Sequence, residues 1–164
     1  MAFVIGFKIK NEQEEKIMNN KYELGAFILR LVTGLTFMLH GLSKFQGGIE
    51  NTVGFFSSVG IPGFLAYIVA IIELAGGALM ILGLGTRVIG LLFAIVMLGA
   101  IFTVKLSAGF MGTDGGAGYE LDVTLLAMSV YLGLSGSRML SLGEIILKSR
   151  KEGKTDDAAN PPGH

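Results

Sequence analysis

The chain has 164 residues, 51% of them apolar and 16% charged, with a formal net charge of zero. A soluble domain carries about 25% charged residues, so an ordinary water-soluble globule is excluded, and the balanced charge gives no reason to expect a nucleic-acid partner. Cysteine is absent, which removes disulfides, thiol relays, thiolate zinc sites and iron–sulfur clusters together.

Residues 1–22 are polar and charged and read as a cytoplasmic leader, with Met18 an alternative start. No apolar core with a small-residue cleavage site precedes the first long helix, so no cleavable signal is expected. Four apolar segments come next, at Glu23–Phe45, Gly63–Leu84, Thr86–Leu106 and Gly118–Ser135. Each is near the roughly 17–25 residues that cross a bilayer. Many of the 25 glycines lie inside these segments, where membrane helices use them to pack closely. Pro62 suits the first position of the second helix, and Gly83, Gly85 and Gly136 suit stops.

The loop Gln46–Pro62 has room for a short interfacial helix with Val53, Phe55 and Phe56 toward the bilayer. The loop Ser107–Ala117 is too rich in glycine to be regular. After the fourth helix, SLGE at Ser141–Glu144 reads as a capping box for a short helix, Glu144–Lys148. Residues 143–164 are expected to form a charged cytoplasmic tail, mostly disordered. Lysines and arginines crowd both flanks and the turn at Arg87, whereas the opposite loops hold only Lys44 and Lys105. The expected architecture is therefore an all-α integral membrane protein: an antiparallel four-helix transmembrane bundle over residues 23–142, in the bacterial cell membrane, with both termini cytoplasmic.

Polar side chains within these segments carry the functional reading. On the first helix Arg30, Thr33, Phe37, His40 and Lys44 recur at steps of three and four and share a stripe roughly 80° wide. Glu73 lies in mid-span, where a carboxyl facing lipid costs several kcal/mol, ~2.5–3.5 at the helix centre. Its neighbours Ala66, Ala70, Gly77 and Met80 form a face that admits another helix. An Arg30–Glu73 ion pair is the expected contact there. At the outer boundary His40, Lys44, Lys105 and Glu120 are expected to gather, with Tyr131 on the stripe of Glu120 and Asp122 turned toward the headgroups. A pocket of that kind suits the head of a lipophilic carbonyl compound. A quinone oxygen needs a hydrogen bond when oxidised and a proton when reduced, and His40 can supply both.

Plainer readings stand beside these. Arg30 snorkels to the headgroups; Lys44 and Lys105 are interfacial anchors. His40 serves only structure. Glu120 only favours a helix N-terminus. With His164 in the tail, His40 lacks a second histidine for haem.

HGLSKF at His40–Phe45, GIP at Gly60–Pro62, ELAGGALMILGLGTR at Glu73–Arg87, MLGA at Met97–Ala100 and GYE at Gly118–Glu120 resemble the DoxX family of small bacterial membrane proteins. The resemblance covers about Leu24–Leu142. It implies a four-helix membrane oxidoreductase subunit, similar to one in a thiosulfate:quinone oxidoreductase, with functional weight on His40, Lys44, Glu73 and Glu120. This chain departs from the family pattern at Lys105, where many members have histidine, and at GSRMLSLGE, which replaces a Gly-Pro-Gly ending.

The leading expectation is thus a quinone-interacting subunit: His40 and Glu73 handle protons, Arg30, Phe37, Lys44, Lys105, Glu120 and Tyr131 line the binding place, and a soluble redox enzyme supplies electrons. A non-catalytic anchor for a soluble enzyme and a small-molecule carrier are the alternatives. The carrier would require a homo-oligomer, because four helices make a thin pathway and matching broken helices are absent.

Overall fold

The computed structural model describes residues 2–113, 116–146 and 149. Its main elements are α1 (Ala2–Gln46), α2 (Ile49–Ser58), α3 (Leu65–Leu82), α4 (Thr86–Ala100) and α5 (Glu120–Ser135). Past Ala100 the α4 rod continues through a π-helical turn, Ile101–Lys105, and a 3-10 turn, Leu106–Ala108. A minimal antiparallel hairpin, β1 (Gly112–Thr113) with β2 (Gly116–Ala117), leads into α5. Apart from that hairpin, the described residues are helical or lie in turns, bends and short irregular connections.

Among the described residues, three helical stretches are long and apolar enough to cross a membrane: Glu12–Gln46, Leu65–Leu82 and Thr86–Ala108. The fourth apolar segment, α5, has 16 residues. The first helix does not begin at Glu23 as its hydropathy suggests; it runs unbroken from Ala2. The leader explains this, because Gln13, Glu14, Glu15, Lys16 and Met18 are good helix formers and no glycine or proline interrupts residues 7–24.

Two helical hairpins make the bundle. In the first, α1 packs along α3, and the small-residue face of α3 is its seam: Ala66, Ala70, Glu73, Gly77 and Met80 are all buried. At Gly77 the backbones are so close that a methyl group would lie 2.5 Å from the Met38 nitrogen and 2.6 Å from the Gly34 oxygen. In the second, α4 packs on α5 through Gly90, where a methyl would meet the Gly133 nitrogen at 2.7 Å. With lipid as apolar as the side chains, such close approach and its dispersion contacts drive association of membrane helices. Phe37 and Phe93 stack at 3.7 Å with an angle of 12° between their rings and join the two hairpins.

The outward faces are apolar: Ile71, Leu91, Ile95, Phe102 and Leu134 are exposed. The loop does hold a short helix, α2, with no buried residue, and its Phe55 and Phe56 line the cavity between the hairpins. Gly83 ends α3 in a left-handed conformation, φ 73°, that a side chain would strain. After α5 a further helix begins at residue 142 and is described through 146, and its cap is half of a capping box: the Glu144 amide donates to Ser141 Oγ at 3.4 Å. Of the expected tail, residues 147, 148 and 150–164 lie outside the described residues.

Candidate functional site

A cavity of about 550 Å³ lies between the two hairpins and α2. Its walls are mostly apolar, with Ile68, Val69 and Ile72 from α3, Val96 and Ala100 from α4 and Leu125 from α5. Phe55 and Phe56 of α2 close one side. Five of the residues expected from the sequence line it: Phe37, His40, Lys44, Glu73 and Lys105.

Two ion pairs, each joining separate helices, line it together with the polar side chains of His40 and Thr103. Lys44 Nζ of α1 is bonded to Glu73 Oε2 of α3. Lys105 Nζ, at the end of the π turn, donates to Asp122 Oδ2 of α5 at 2.6 Å. Both carboxylates are buried while both ammonium groups are partly exposed, with side-chain exposures of 5% and 8% against 22% and 30%. That difference sets the chemistry. The acid of each pair is the more deeply buried partner and its lysine the more exposed one. An ammonium held by a carboxylate retains further N–H donors, since lysine has three. It can offer one to a carbonyl or phenolate oxygen. His40 is exposed and lines the same cavity.

Local sequence explains these placements. Starting from Thr33 and Phe37, both buried, the α1 stripe leads outward to His40 and Lys44 at the cavity. The π turn matters for Lys105. Its wider loop takes an extra residue into the helix and shifts the phase of the side chains beyond it, and here Lys105 reaches α5.

Three expectations fail. Arg30 does not pair with Glu73. The register of α1 against α3 sets Gly41 beside Leu74 and Gly34 beside Ile81, so Glu73 stands at the level of His40 to Lys44. Arg30 is ten or more residues away on the same helix, roughly 15 Å at 1.5 Å per residue. It is fully buried and donates instead to the Ser137 carbonyl at 3.5 Å and the Leu140 carbonyl at 3.1 Å, with its guanidinium 5.1 Å from the Phe27 ring centre. It ties α1 to the segment after α5 and takes no part in the cavity.

Glu120 is exposed, and Asp122 takes the place expected for it. The buried face of α5 is Asp122, Leu125, Ser129, Leu132 and Gly133. Two residues along a helix turn the side chain by about 200°, so the polar stripe Glu120, Thr124 and Tyr131 faces outward. Tyr131 is 40% exposed and does not line the cavity. The spacing Asp122–Leu125–Ser129–Leu132 was the signal for the true inner face; the choice between two opposite stripes on one helix needed α4 beside it. Glu23 was also missed. Its carboxylate accepts from the Arg138 amide at 2.8 Å and the Met139 amide at 3.2 Å.

The fold and site thus define a small helical membrane bundle with a polar-footed cavity between its hairpins. The family model of DoxX matches residues 25–106, and the chain belongs to the DoxX family. It is 50% identical to "Putative oxidoreductase CatD" of Bacillus subtilis over 83% of this chain and 97% of that protein. It is 35% identical to an uncharacterised membrane protein of Mycobacterium tuberculosis over 73% of this chain and 80% of that protein. A Haemophilus influenzae protein of no stated function is 30% identical over 73% of this chain and 89% of that protein. No solved structure matches the chain.

Proposed function

We propose that this membrane protein is a quinone-linked oxidoreductase subunit, and that the cavity between its hairpins is where the quinone or a related lipophilic aromatic carbonyl binds. One observation carries the reading: a mostly apolar cavity of about 550 Å³ with a lysine–carboxylate pair from each hairpin. A flat ring with an apolar tail fits such walls, and the two lysines are donors suited to its oxygens. The oxidoreductase name of the Bacillus subtilis relative supports the same class.

When bound, a quinone takes up two electrons and two protons to become the quinol. The electrons come from a soluble redox partner. The chain's own residues supply binding and protons: Lys44 and Lys105 hold the carbonyl oxygens, Glu73 and Asp122 fix the lysines, and His40 passes protons in from the exposed side. In this reading α5 is the fourth span, and the cationic flanks hold both termini in the cytoplasm of a bacterial cell. The cavity then opens at outer-leaflet depth, where lipid-dissolved quinone is available.

Purified protein in detergent is expected to bind a short-chain quinone, read by difference absorbance of the quinone itself, and to alter its reduction by an added donor. His40→Ala with Glu73→Gln is expected to abolish both. Absence of binding at saturating quinone removes the proposal. Binding that persists unchanged in the double variant moves the site elsewhere.

A further inference from the structure

The α4 wall of the cavity between the hairpins is apolar at Val96, Ala100 and Val104 and carries one hydroxyl, that of Thr103. Thr103 is exposed and sits in the middle of the π turn, a distortion that recurs at functional sites. Among the described residues it is the one serine, threonine or tyrosine of the lining. Valine, present next to it at Val104, has the same branched shape without the hydroxyl, so shape alone does not call for threonine here.

The hydrogen of that hydroxyl is already committed. Thr103 Oγ1 donates to the Gly99 carbonyl at 2.6 Å. A hydroxyl has one hydrogen and two acceptor lone pairs, so toward the cavity Thr103 can only accept. Thr36, Thr124 and Ser135 make the same bond to the carbonyl four residues back, but none of them lines the cavity. The space beside Gly99 is open, since a methyl group there would have no neighbour within 4 Å. The other polar groups of the lining behave differently. Lys44 and Lys105 are donors with no acceptor atom. Glu73 and Asp122 each give one oxygen to a lysine, and their side chains are 5% and 8% exposed. His40 donates or accepts according to its protonation. Thr103 is therefore the exposed group whose part is fixed as acceptor.

We propose, resting on the quinone reading of this cavity, that Thr103 is a specificity-determining residue that favours the reduced, hydroxyl-bearing form of the ligand. A quinone carbonyl has no hydrogen to offer, so it gains nothing from an acceptor. A quinol O–H donates to Thr103 Oγ1, while its second oxygen accepts from a lysine ammonium. The donors of the cavity thus serve both forms and Thr103 serves one. Tighter binding of the quinol than of the quinone raises the reduction potential of the bound couple above that of the free couple, and a bound quinone then takes up electrons more readily.

The full chain in detergent micelles is titrated without oxygen against three probes: duroquinone, durohydroquinone, and the dimethyl ether of the latter, which keeps the ring but has no O–H. Calorimetry against empty micelles reads each affinity, and circular dichroism checks folding. Thr103→Val is expected to bind durohydroquinone about fivefold more weakly, the worth of one neutral hydrogen bond, and to bind the quinone and the ether as the native chain does. Thr103→Ser, which keeps the hydroxyl, is expected to restore the quinol affinity. A redox titration of the bound couple should fall by about 20 mV in Thr103→Val, at roughly 30 mV per tenfold for two electrons. An equal loss for all three probes in folded Thr103→Val, or no loss for any, overturns the selectivity and leaves the quinone site standing. A native chain that binds neither quinone nor quinol removes both readings together. Should Thr103→Val fail to fold, Thr103→Ala against Thr103→Ser makes the same comparison.

Discussion

Removing the Lys44 side chain by Lys44→Ala tests the bundle and the site together. In the native chain the Glu73 carboxylate is 5% exposed and bonded to Lys44 across the α1–α3 seam. Breaking a buried pair from one side typically costs about 3–5 kcal/mol, because the remaining charge is left unpaired. Lys44 is itself 22% exposed, and solvent screening lowers that figure. The expected loss is about 2–3 kcal/mol, a shift of roughly 30- to 150-fold in the folding equilibrium. Unfolding in mixed micelles of increasing sodium dodecyl sulfate, followed by circular dichroism, measures it. Glu73→Gln alone also loses stability, but in that background Lys44→Ala is expected to cost less than about 1 kcal/mol, since no charge is left stranded. Equal costs of Lys44→Ala in both backgrounds would refute the idea that the lysine's main structural role is to neutralise Glu73.

Other substitutions separate the parts of the argument. Asp122→Asn is expected to weaken quinone binding about tenfold through loss of the charge-assisted bond to Lys105, whereas Glu120→Gln, on the outward face, leaves it unchanged; a binding titration compares the two. Arg30→Lys keeps the charge but loses the fork that reaches both Ser137 and Leu140 carbonyls. It is expected to speed hydrogen exchange and proteolysis in residues 137–146, at a cost of about 1.5–3 kcal/mol, with quinone binding intact. Gly77→Val should separate α1 from α3 and destabilise by at least about 1–3 kcal/mol, read in the same micelle unfolding assay; a neutral result would deny the close crossing.

Much of this molecule is written in local pattern. Hydropathy marks the apolar segments because a bilayer-spanning helix must satisfy its own backbone and show apolar side chains. The glycine stops at Gly83 and Gly136 and the Ser141 cap are legible because they depend on a few neighbouring residues. The face of α3 around Glu73 is legible for the same reason: small residues at helical spacing name a seam without naming the partner. The extension of α1 back to Ala2 was obscured because hydropathy follows the apolar face and not the backbone, which stays helical through the polar leader.

Residue order alone is enough to place ionisable groups within the helices of a membrane protein and to say which side chains share a stripe, because each helix's periodicity is a property of its own backbone. Which of those groups meet is a matter of packing between helices. Lys44 rather than Arg30 neutralises Glu73 because the glycine-mediated crossing of α1 and α3 fixes their vertical register. Asp122 rather than Glu120 receives Lys105 because packing against α4 selects one of two opposite faces of α5, and that choice is made by a neighbour far away in the chain.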